Sequence, residues 1–573
     1  MRARRSVLAL LLALALVATG CGGKGDKKAS GGSTQNTSPA VDASDINKTP
    51  RDQVPDGGTL KWAIDNIPPN FNYNELDGTS SDNAAVIGGL LPGMFNFDAS
   101  AQPSVNKDYL DSAELTAKDP KQVITYVINP KAKWSDGMPI TEADFAAQWT
   151  ATNGKKIDGK DSPYKISSSN GYEQIESVVK GKDEREVVVT FAQPYVDWKG
   201  LFSPLYPASM NSDPAAFNDG WKDKPQITAG PFKWDNIDRT QQTITVVRDD
   251  SWWGNRAKLD KIIYRKLDPD AHVDALANGE VDFVDIGPDV SKLNRSKSLA
   301  GVTIHRAGGP NFRHITMNSQ SAVLQDVNVR KALALAIDRV TIARAQLSPL
   351  GVEPVPLNNH IFMRNQKGYK DNAGILSTAD AEKAKSMLDA AGWKMEGPTR
   401  KKDGKELVIR FVIPTGVATS KLESELVQSM FTPIGAKVNI ETVPIGDYFE
   451  KYITPGNFDY SVFSWIGTPF PISASKSIYV KPTTNSKGEV EVHQNYARIG
   501  SPEIDDLFNK ATQEFDEAKA IDLGNQIDSM IWDEVHSLTL YQRPEIVATK
   551  ANLANYGAFG FATARYEDIG FKP

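Results

Sequence analysis

The chain has 573 residues, enough for three or four structural units at roughly 150 residues each. Hydrophobic residues make up 40% and charged residues 24%, the balance of a soluble globular protein. A formal net charge of −6 without a long basic run argues against nucleic acid as a partner. Cys21 is the only cysteine, so neither an intramolecular disulfide nor a cysteine-ligated metal site can form. His272, His305, His314, His360, His493 and His536 are scattered, and none forms the His-x-x-x-His pair that sets two imidazoles on one helix face. Neither a metal nor a cofactor is expected.

The N-terminus sets the compartment. Arg2, Arg4 and Arg5 form a positive start, and Val7 to Ala18 is an unbroken apolar run. That run is too short to span a bilayer and suits a secretory signal. Ala18, Thr19 and Gly20 then lead to Cys21. The segment resembles a bacterial lipoprotein signal, residues 1–20, in which Cys21 is lipidated and becomes the first mature residue. Ala18 stands where that motif more often has Leu. Residues 22–56 are rich in Gly, Ser, Thr, Asn and Lys and poor in large apolar side chains. Such a composition cannot bury enough surface to fold. The spacing predicts a flexible tether over 21–56, a coil spanning on the order of 30–35 Å.

From Gly58 onward the pattern is mixed α/β. Residues 59–65 (TLKWAID), 122–128, 185–192, 243–248 and 436–443 read as strands rich in β-branched and aromatic residues. In the last, Val438 and Ile440 alternate with Lys437, Asn439 and Glu441, which predicts one buried face. Thr141 and Asp144 have capping-box spacing after an Asp136-Gly137 turn. Asp326 can cap a helix that carries Val329, Leu333, Ala336, Ile337 and Val340 on one face. Ser377 and Asp380 cap a further helix that stops at Gly392. Ser501 caps another, with Pro502 as its first residue.

These segments carry a resemblance. KWSDGMPITEADF (133–145), TAGPFKW (228–234), the stretch 249–285 with Trp252-Trp253, VRKALALAIDR (329–339), EKAKSMLDAAGW (382–393), NFDYSVFSW (457–465) and NYARIGSPEIDDLFNKA (495–511) follow in order. Together they resemble family 5 of the extracellular solute-binding proteins, which serve oligopeptide, dipeptide and nickel ABC importers. The resemblance covers about 58–573. It implies an α/β, two-lobed periplasmic-binding-protein-like fold of the class II or cluster C type, with the ligand in a cleft between the lobes. One lobe would be split, with subdomain I near 57–85, 226–308 and 535–573 and subdomain II near 86–225. The other lobe would be 309–534.

The resemblance also implies function. The chain would be the lipid-anchored, monomeric substrate-binding component of an ABC importer on the outer face of the bacterial cytoplasmic membrane. It would capture an oligopeptide and deliver it to permease and ATPase subunits. In peptide receptors of this family an aspartate three residues after the tryptophan matching Trp465 pairs with the peptide amine. Here that position is Thr468, whose hydroxyl cannot neutralise an ammonium. Asp65, just after the first strand, is the substitute candidate. Asp65, Asn66, Phe71, Trp465, Gly467 and Thr468 form the candidate ligand-binding set, with Tyr73 and Phe470 as weaker members. A ligand other than a free-amine peptide, or an envelope sensor without transport, are the alternatives. An enzyme is set aside, since the chain has no G-x-S-x-G, H-E-x-x-H or P-loop motif, and Asp505-Asp506 reads as a solvated helix face.

Overall fold

The structure, a computed structural model, describes residues 44–157, 159–485, 488 and 490–573. Cys21, the apolar run before it and the tether up to residue 43 lie outside the described residues. Three sheets organise the rest. The largest is mixed and has seven strands, in the order Val302–Ala307, Glu545–Lys550, Phe283–Asp285, Thr59–Ile64, Lys261–Lys266, Thr243–Arg248 and Phe232–Asp238. A five-stranded sheet runs Lys437–Val443, Val408–Pro414, Tyr460–Trp465, Phe312–Met317 and Ser537–Gln542. A four-stranded antiparallel sheet takes Leu110–Ala117, Val123–Ile128, Glu186–Phe191 and Ile175–Lys180.

The strands form where β-branched residues alternate. In Val123–Ile128, Ile124, Tyr126 and Ile128 are buried, and from the neighbouring strand Val187, Val189 and Phe191 join them. One continuous core runs under the four-stranded and seven-stranded sheets, and a second fills the lobe around the five-stranded sheet. The chain passes between the lobes twice, over 308–311 and 543–544. The two passages are tied by Arg543 N–H donating to Asn311 O at 2.7 Å. Gly309 must be glycine, because a Cβ there would collide with the Arg543 carbonyl. The second passage lies after Gln542, because Ser537–Gln542 belongs to the five-stranded sheet. Strand pairing therefore places residues 535–542 with the lobe read as 309–534.

Helix starts follow their caps. Glu142–Thr152 opens with the Thr141/Asp144 capping box, and Ser501 Oγ accepts the Ile504 N–H ahead of Pro502–Gln513. Two readings are corrected. Ser377 ends the short turn Gly374–Ser377, and Asp380 alone caps Ala381–Ala390. The helix after Asp326 stops at Leu335, and a second, Arg339–Leu347, begins with Asp338 accepting the Thr341 N–H at 3.0 Å. The Asp338 cap overrides the apolar periodicity, and Val340 ends 37% exposed.

The tether reading also runs too far. Asp45–Ile46 pairs with Gly557–Ala558, Arg51–Gln53 forms a turn, and Val54 is 1% exposed. Residues 44–56 are bound to the body because polar side chains there find backbone partners, which a count of apolar residues does not register. Among the described residues, no helix is long and apolar enough to cross a membrane.

Candidate functional site

A cavity of ≈ 380 Å³ lies between the two lobes. The seven-stranded sheet supplies Asp65, Asp285 and Glu545 from its strand ends, and helix Ser81–Ile87 supplies Asp82. The facing lobe supplies Arg313, Ser464 and the turn 416–419. The lobes also touch outside the cavity lining. Asn170 Nδ2 donates to Ser473 O at 2.7 Å, Val196 N–H donates to Thr512 O at 3.0 Å, and Lys476 pairs with Glu173. This is a closed arrangement, the kind a hinged two-lobe protein reaches around a ligand.

The wall built by the large sheet is acidic. Asp82 accepts the N–H groups of Asp65, at 3.2 Å, and Asn66, at 2.9 Å. Burial, and then the neighbouring Asp65 charge, push the Asp82 carboxyl up to about 7. His272 Nε2 stands 3.6 Å from Asp65 Oδ1. Burial raises the Asp65 carboxyl while His272 opposes the rise. Glu545 accepts from Phe559 N–H at 3.0 Å and Gly560 N–H at 2.7 Å, yet burial still pushes it up to about 7. Arg543 Nη2 lies 3.0 Å from Asp285 Oδ2.

The facing wall holds a buried ion pair. Arg313, 6% exposed, pairs through Nε and Nη2 with Glu423, which is fully buried. Its Nη2 also donates to Ser420 Oγ at 3.0 Å, and Tyr541 Oη donates to Glu423 Oε1 at 2.6 Å.

The predicted site residues divide. Asp65 lines the cavity. Asn66 does not line it; its Oδ1 faces Gly446 of the other lobe. Phe71 is 0% exposed and packs edge-on against Trp234 at 5.0 Å, so it belongs to the core. Trp465 is half-buried and stacks between His314 at 5.5 Å and Tyr496 at 5.7 Å. It does not line this cavity; its neighbour Ser464 does, because successive strand residues face opposite ways. Gly467 is required by close approach, since a Cβ would strike the Pro310 carbonyl. The Thr468 hydroxyl accepts the Phe470 N–H at 3.1 Å, shaping the turn into Pro471–Tyr479. Tyr73 lines a separate cavity of ≈ 230 Å³, and Phe470 meets Phe97 edge-on across the lobes at 5.7 Å. Asp82, His272, Arg313, Glu423, Arg543 and Glu545 went unread. They come together only in the fold, and the polar residues inside the buried strand Phe312–Met317, Arg313 among them, offered the one signal.

The family described as "Bacterial extracellular solute-binding proteins, family 5 Middle" matches residues 108–487. Oligopeptide-binding protein OppA of Mycobacterium tuberculosis is 40% identical over 98% of this chain and 92% of its own length. Among solved structures, the periplasmic EDTA-binding protein EppA superposes with a TM-score of 0.81 at 25% identity, covering 94% of this chain and all of its own. The oligopeptide-binding protein AppA from Bacillus subtilis, in complex with a nonapeptide, superposes at 0.77 with 21% identity, covering 90% of this chain and 99% of its own. AppA supports the fold alone. With its middle region matched by the family and nearly its whole length aligned to a 40% identical relative, the chain belongs to family 5 of the bacterial extracellular solute-binding proteins.

Proposed function

We propose that this chain is the substrate-binding component of an ABC importer and captures oligopeptides in the cleft between its lobes. The observation that carries the reading is the charged, hydrogen-bonding cavity of ≈ 380 Å³ between lobes that, among the described residues, are joined at 308–311 and 543–544. The near full-length identity to a protein named for oligopeptide binding supports the ligand class. A cavity of this kind holds a peptide main chain by its amides and leaves side chains to wet, permissive space. The chain works with permease and ATPase subunits and does no chemistry on its ligand. Protein purified from its native host is expected to release peptides on acid treatment, read by mass spectrometry, and the emptied protein to bind short peptides by calorimetry. Release of a non-peptide solute alone, with no peptide affinity, would shift the reading to another ligand class.

The same proposal holds the chain on the outer face of the cytoplasmic membrane by lipid at Cys21, supported by the lone cysteine behind the apolar run. A metabolic fatty-acid probe is expected to label the wild type and to miss Cys21→Ser, which should also move to the soluble fraction. Equal labelling of both proteins would end the anchor proposal.

A further inference from the structure

We propose that Arg313 is a ligand-contacting hydrogen-bond donor that selects an uncharged oxygen, such as an amide carbonyl, over a carboxylate. This rests on the peptide-binding reading. The guanidinium is more than nine-tenths buried, its Nε and Nη2 are committed to Glu423 and Ser420, and the residue forms part of the inter-lobe cavity wall. Nη1 makes no protein hydrogen bond among the described residues, so the pair leaves one donor edge unspent. Tyr541 Oη donates to Glu423 Oε1, the oxygen that also accepts Arg313 Nε, which holds the carboxylate in place beside the guanidinium. A buried ion pair is costly unless its remaining protons find acceptors. A ligand oxygen at Nη1 supplies one.

The choice of acceptor follows from charge. Glu423 neutralises Arg313, so the pair offers an N–H without a net positive field. Around it Asp65, Asp82, Asp285, Asp289 and Glu545 outnumber Lys292 and Arg543. A carboxylate brought into that cavity meets the same burial that already raises Asp65, Asp82 and Glu545, adds a like charge wherever those acids are ionised, and finds no uncompensated cation at Arg313. A carbonyl oxygen accepts the same hydrogen bond without that penalty. A planar guanidinium held by three hydrogen bonds gives direction, which a lysine ammonium in its place cannot reproduce.

The test is calorimetry with pentaalanine, its C-terminal amide and its N-succinyl derivative, on wild type and Arg313→Lys. The wild type is expected to bind pentaalanine and its amide within about threefold of each other and the succinylated form at least about tenfold more weakly. Arg313→Lys is expected to lose about 10- to 100-fold for pentaalanine and its amide, with the ligand-free melting temperature little changed. Should Arg313→Lys not fold, the Arg313→Gln, Glu423→Gln double variant removes both charges together and takes the same measurement. Unchanged pentaalanine affinity in the variant overturns the proposal and leaves the peptide reading intact. Tighter wild-type binding of the succinylated probe overturns the acceptor preference. No wild-type binding to any probe overturns the peptide reading, and the amide acceptor with it.

Discussion

Glu423→Ala is expected to cost the ligand-free protein about 3–5 kcal/mol, because it leaves the Arg313 charge buried without its partner. Arg313 is 6% exposed and Glu423 is fully buried, so water cannot take over the lost interaction. The truncation strands further groups: Tyr541 Oη loses its acceptor and Arg313 loses both of its carboxylate bonds. Neither the Ser420 nor the Tyr541 hydroxyl can neutralise a guanidinium. Replacing both partners, as in Arg313→Met with Glu423→Leu, is expected to restore much of the loss, since an apolar pair of similar volume removes the desolvation cost together with the attraction. Urea unfolding of the two variants against wild type checks this. A Glu423→Ala loss below about 1 kcal/mol, the range of an exposed ion pair, would show that the site is wetter than its burial states.

Deleting residues 44–56 from a chain that begins at Ser44 is expected to lower stability by about 3–6 kcal/mol, from one buried aliphatic side chain and several hydrogen bonds at about 1 kcal/mol each. The segment binds three separate parts of the body. Asp45 accepts the Arg306 N–H at 2.9 Å and faces His305 at 3.2 Å. Asn47 Nδ2 donates to Leu553 O at 2.7 Å, and Thr49 N–H donates to Asn555 Oδ1 at 2.8 Å. Arg51 pairs with Asp568 at 2.6 Å, and Val54 packs where Gly570 has no side chain. The loss is read as a drop of several degrees in melting temperature. Coincident melting curves for the two chains would mean that 44–56 adds no stability.

Much of the architecture was legible because its causes are local. Thr59–Ile64 and Thr243–Arg248 announce themselves by β-branched composition, and Glu142–Thr152 by its capping box. Where two local signals competed, the polar one prevailed: Asp338 started a new helix inside an apolar repeat. The site was less legible. Asp65 was found because it ends a strand, but Arg313 and Glu423 are separated by 110 positions and share no motif. The aromatics drew attention as candidate contacts, yet Phe71 went to the core and strand alternation gave the cavity Ser464 in place of Trp465. The polar stretch 44–56 was misjudged because hydrogen bonds to distant backbone leave no trace in composition.

The strand order carries a consequence for how the chain comes into being. Glu545–Lys550 lies between Val302–Ala307 and Phe283–Asp285, and Ser537–Gln542 borders Phe312–Met317. Both strands follow their partners by more than two hundred residues, so during synthesis each sheet lacks a member until residues 537–550 have been made. Among the described residues, Val302–Ala307 has no other strand neighbour in its sheet. Pairings this distant in sequence form slowly. The two sheets therefore close late, and a polypeptide whose sheets are still open can be threaded through a narrow channel before it locks into shape.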